Sequence, residues 1–107
     1  MLTDLRTSER LRDEAYAGDE DAWGELVERH TGLLWAIARA HGLSRAAAED
    51  VVRTVWLRVL ESGGAGPVLP GLIAAARRES ARFGPADAGH PLWPVIEELE
   101  RVSGAAL

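Results

Sequence analysis

Residues 48–60 read AEDVVRTVWLRVL. Ala48, Val51, Val52, Val55, Trp56, Val59 and Leu60 recur at spacings of three and four, the signature of a helix with one apolar stripe. Ser44 is placed to cap that helix. Glu49 and Asp50 put acid in its early turns, where the helix dipole favours negative charge. Ser62-Gly63-Gly64 ends it, and residues 62–68, SGGAGPV, read as a flexible loop.

The pattern extends outward on both sides. From Glu20 to His41, Trp23, Leu26, Val27, Leu33, Leu34, Ile37 and Ala38 mark a longer helix, with Asp19 as its N-cap and Gly42 as its C-cap. Leu69 to Phe83 forms a third core helix, with Pro70 in its first turn and Leu72, Ile73 and Ala76 facing inward. Arg77, Arg78 and Arg82 lie toward its end, and Gly84-Pro85 stops it. Leu2 to Ala17 is charged and carries few apolar residues, which predicts a loosely held helix. Leu92 to Val102 is short and amphipathic, and the last five residues are expected to fray. No alternating strand pattern occurs. The fold class is therefore all-α: a three-helix bundle with N- and C-terminal helical extensions.

Composition limits the chemistry. The chain has 107 residues, 47% hydrophobic and 27% charged, which suits one ordered domain. Cysteine is absent, excluding a disulfide framework, a thiolate zinc site and a cysteine nucleophile. The reducing cytoplasm is the natural compartment, and no apolar run approaches the ~20 residues of a membrane span. His30, His41 and His90 show no metal-ligand spacing, and His30 reads as a partly buried structural residue. Glu49 and Asp50 point about 100° apart on a helix, so they make a poor acid–base couple and read locally as capping and dipole groups. Trp35 and Trp56, within apolar stripes, read as core. No phosphate-binding glycine loop or nucleophile motif is present. The sequence points to no enzyme, no catalytic residue, no metal and no cofactor.

The net charge of −5 is unevenly spread. Residues 1–28 hold 9 acids against 3 arginines, residues 29–83 hold 8 arginines against 4 acids, and residues 84–107 hold 4 acids against 1 arginine. A mixed solvated surface and a mildly basic contact face between acidic flanks both satisfy this distribution.

AEDVVRTVWLRVL resembles region 2.2 of the sigma-70 family, particularly the extracytoplasmic-function (ECF) sigma factors of bacterial RNA polymerase. GDEDAWGELVERHTGLLWAIARAHGL, upstream, is similar to their region 2.1. LPGLIAAARRESAR, downstream, is similar to their regions 2.3–2.4. The resemblance runs from Gly18 to Phe83 with the pieces in family order. It divides the chain into an acidic N-terminal helical extension (1–17), a sigma region 2-like helical domain (18–84), and a linker with a short C-terminal helix (85–107).

The resemblance implies a binding function. It assigns Glu49, Asp50, Val52, Arg53, Trp56 and Arg58 to the interface with the β′ clamp helices of core polymerase, or to its support. It assigns Arg77, Arg78 and Arg82, with loop 62–68, to the non-template strand of the −10 promoter element. Arg53 stands where the family usually has Gln, Thr54 where it has an acid, and Gly71 or Leu72 where a Trp is common. PLWPVIEELERVSGAAL resembles the start of region 4, the family's −35-reading domain. The chain stops there, as a natural short factor or as a piece; Met1 and the apolar C-terminus favour the former. Two roles follow: an initiation factor lacking the −35-reading domain, or a region-2-only module or decoy that binds polymerase or an anti-sigma factor without promoter recognition. A separate region 4 polypeptide is a further expected partner.

Overall fold

The computed structural model describes residues 7–62, 66–83 and 90–105. They form five α-helices: α1 (Ser8–Tyr16), α2 (Glu20–Ala40), α3 (Arg45–Ser62), α4 (Val68–Ala81) and α5 (Trp93–Ala105). No strand occurs among the described residues, and the all-α expectation holds. The expectations for residues 1–6, 63–65, 84–89 and 106–107, the middle of the flexible loop and the linker among them, lie outside the described residues.

Polar side chains begin three helices, at Asp19 and Ser44 as the sequence predicts and at Thr7 in addition. Thr7 accepts from the Arg10 amide, Asp19 from the Ala22 amide and Ser44 from the Ala47 amide, each at 3.1–3.2 Å. Gly18 (φ +108°) and Gly42 (φ +80°) turn the chain at either end of α2 in a conformation costly for other residues. After Gly42, the Leu43 amide returns to the Ala38 carbonyl at 3.3 Å, closing the helix end.

α2 is the central post, packing on α1, α3 and α4. Its buried line is Ala22, Leu26, His30, Leu34 and Ile37. α3 contributes Ala48, Val51, Val55 and Trp56 to the core, and α4 contributes Leu72, Ile73 and Ala76. α5 packs on α4 through Trp93 and Ile96.

Three expectations need correction. The N-terminal helix is docked, not loose: Leu11 is fully buried and Ser8 Oγ is hydrogen-bonded to His30 Nε2 at 2.7 Å. Leu60 is not in the core stripe but 48% exposed. Residues 55–60 carry more apolar side chains than one face of α3 can cover, and the surplus turns outward. Finally, α5 continues past Val102 to Ala105.

Candidate functional site

Glu49, Asp50 and Arg53 are all exposed on α3. Arg53 reaches Asp50 at 3.4 Å, one helical turn apart, with both side chains more than 60% exposed. Such a pair is weak and easily exchanged for an external partner. Glu49, Arg53, Leu57 and Leu60 follow one another at helical spacing, so the charged stripe runs into two exposed leucines. Beside Leu60 lies a hollow of about 470 Å³ lined by Ala15, Tyr16, Gly18, Asp19, Glu20 and Trp23. Leu57 and Tyr16 were not singled out from sequence as exposed contact residues, and Leu60 was read as part of the core stripe. The excess of apolar residues over one stripe was the available signal.

The other α3 candidates are placed differently. Val52 is half-buried and Trp56 is 8% exposed. The Trp56 indole N–H donates to Thr31 Oγ1 at 3.1 Å, and its ring meets Trp23 edge-on at 5.6 Å. Trp56 therefore fixes α3 to α2 from inside, the core position its periodicity suggested.

Arg58 points to α4. Its Nε lies 3.1 Å from Glu79, and Arg82 reaches the other oxygen of the same carboxylate at 3.1 Å. Glu79 is 5% exposed, so one buried acid anchors two guanidiniums whose ends remain in water. Glu79 is not legible in the sequence, because a single acid among arginines reads as a solvated charge. On one side of this bridge a cleft of about 220 Å³ is edged by Arg12, Arg58 and Arg78, with Leu26, Val55, Val59 and Leu72 among its walls. On the other side a hollow of about 380 Å³ brings Asp50 and Arg53 beside Arg82 and the exposed Phe83. Arg78 has no ion-pair partner among the described residues.

Arg77 and Arg78 of α4 and Arg82 at its C-cap do not form one patch. Arg78 and Arg82 share a face beside α3. Arg77 turns to α5, where it pairs with Glu100 at 2.6 Å and lies over the Trp93 ring at 5.1 Å. His41 meets the same ring edge-on at 4.9 Å.

The histidines serve the fold. His30 is buried, and its pKa is lowered chiefly by desolvation and secondarily by Arg29, with Glu9 opposing. His41 Nδ1 lies 3.2 Å from the Ile37 carbonyl, and His90 Nδ1 accepts from the Leu92 amide at 3.2 Å.

Similarity to curated proteins supports a relationship to the sigma factors of RNA polymerase. The match is to the RNA polymerase sigma factor NccH of Alcaligenes xylosoxydans xylosoxydans, 34% identical over 56 residues. That stretch covers 52% of this chain and 30% of the relative's length. No protein-family model and no solved structure matches the chain. Among the described residues, no helix is long and apolar enough to cross a membrane.

Proposed function

We propose that the chain is a sigma-like transcription factor of ECF type. Its region 2-like bundle binds the β′ clamp helices of core RNA polymerase through α3 and −10 promoter DNA through the α3–α4 edge. It acts as a binding protein and not as an enzyme, in the cytoplasm where its polymerase partner works. The observation carrying this reading is that Asp50 and Arg53 stand in water beside exposed Leu57 and Leu60. An acid next to apolar knobs on a helix face suits a helical partner bearing basic residues. Arg58 and Arg78 edge an apolar cleft and supply cations for a phosphate backbone, and Arg82 adds a third on the other side of the Glu79 bridge.

A second reading keeps polymerase or anti-sigma binding and drops promoter recognition. It is favoured by the diversion of Arg77 to α5, which leaves only Arg78 and Arg82 of the three candidate DNA-binding arginines on the α3 side.

Equilibrium binding of the purified chain to core RNA polymerase tests the proposal. Asp50→Ala is expected to weaken binding by about tenfold or more, the cost of an interfacial charge losing its partner. Equal affinity for the wild type and the variant, or no binding by either, refutes the clamp assignment. Binding of a −10-like single strand then separates the factor from the decoy.

A further inference from the structure

α1 carries three polar side chains on one face: Glu9, Arg12 and Tyr16, at spacings of three and four. All three reach across the fold to the two rims of the α3–α4 connection. The Tyr16 hydroxyl donates to the Val59 carbonyl in the last turns of α3. Arg12 donates to the Gly66 carbonyl at 2.5 Å. Glu9 accepts from the Val68 amide at 2.7 Å.

The match of chemistry to position is specific. Val68 is the first residue of α4, and its N–H has no partner within the helix. The residue before it is Pro67, which has no side-chain oxygen to cap the helix. The Glu9 carboxylate supplies both the missing acceptor and a negative charge at the positive end of the helix. Gly66 has φ +78°, so its carbonyl is presented from a sharp turn, and it is met by a cation. The adjacent stripe of α1 holds the helix in place through buried Leu11 and the Ser8–His30 bond.

We propose that α1 is a splint: Glu9, Arg12 and Tyr16 hold the two rims of the α3–α4 connection and set the mouth of the Arg12–Arg58–Arg78 cleft for a single nucleic-acid strand. The ligand class rests on the promoter-binding reading above, whereas the splint itself does not. Glu9 and Tyr16 do not line the cleft, so they act as positioning residues.

Glu9→Ala gives a test in which charge and position predict opposite signs. Removing an acid from a protein that binds a polyanion strengthens binding by simple electrostatics. Loss of a splint weakens it. Hydrogen exchange on the full chain reads the splint directly, and fluorescence anisotropy with a labelled mixed-sequence single-stranded 10-mer reads its consequence. The expected result is exchange at the Val68 amide faster by about tenfold or more, the value of a charge-assisted bond. Mid-α2 amides should be unchanged and oligonucleotide affinity lower. Tyr16→Phe should lower affinity in the same direction with no change in charge. Unchanged Val68 exchange overturns the splint. Faster exchange with equal or tighter oligonucleotide binding overturns the positioning role. If the wild type binds no oligonucleotide, the promoter reading falls, and the splint stands or falls on Val68 exchange alone.

Discussion

Trp93→Ala should release α5 and leave the rest of the bundle folded. Trp93 is 6% exposed and packs between the His41 ring and the Arg77 guanidinium. Burying an indole removes roughly 150–250 Å² from water. At about 25 cal/mol per Å² that is about 4–6 kcal/mol, an upper value because the unfolded chain already hides some of that area. Truncations of this kind cost about 3–5 kcal/mol. The remaining anchors are weaker. Ile96 is fully buried and contributes about 1.5–3 kcal/mol. The Arg77–Glu100 pair is 42% and 32% exposed and contributes about 0–1 kcal/mol after solvent screening. A 13-residue helix is marginal on its own, so α5 cannot persist undocked. Amide exchange should show loss of protection across residues 93–105 with α2 and α3 protected as before, and circular dichroism should show a matching fall in helix. If oligonucleotide binding exists, freeing Arg77 should also steepen its log–log salt dependence by up to about 0.7, the value of one added phosphate contact on a single strand. Wild-type protection of α5 in Trp93→Ala, or simultaneous loosening of all helices, refutes the reasoning.

Glu79→Gln keeps the shape of the α3–α4 bridge and removes its charge. With both arginine ends partly in water, the expected cost is about 1–2 kcal/mol, seen as a lower thermal midpoint; an unchanged midpoint refutes the anchoring role. His30 predicts a pH dependence. Burial lowers its pKa below the ordinary 6.5, so as pH falls through 6.5 the unfolded chain takes up the proton first. The stabilising contribution is full above about 6.5 and is lost as pH falls toward the lowered folded value; denaturant titrations should show this, and His30→Gln should flatten it.

Helices α2 and α3 were legible because their apolar residues repeat at the helical period and their caps are local. The docking of α1 was not. What holds that helix to the α3–α4 rims is three hydrogen bonds spanning 43, 54 and 59 residues, and no short-range pattern encodes such partners. Its single large buried residue, Leu11, makes a weak stripe. In the candidate site, the exposure of Asp50 and Arg53 could be read from the polar side of the α3 pattern. The role of Glu79 could not, because it depends on Arg58 arriving from another helix. The turning of Arg77 toward α5 was equally hidden, since adjacent Arg77 and Arg78 look equivalent until both neighbouring helices are placed.

Arg53 belongs to both candidate faces. It pairs with Asp50 on the outside of α3, and it lines the hollow that also holds Arg82 and Phe83. That position complicates the simplest polymerase experiment. Asp50→Ala removes an acid that could meet a basic clamp, and it also exposes the Arg53 cation to that same clamp. Weaker binding would then arise from lost attraction, from new repulsion, or from both. A double-mutant cycle with Arg53→Gln separates the two, because neighbouring charges are non-additive and the cycle measures by how much. If Asp50→Ala still weakens polymerase binding when residue 53 is neutral, the carboxylate touches the partner. If the loss disappears in that background, Asp50 serves to quench Arg53, and its carboxylate makes no contact of its own with the partner.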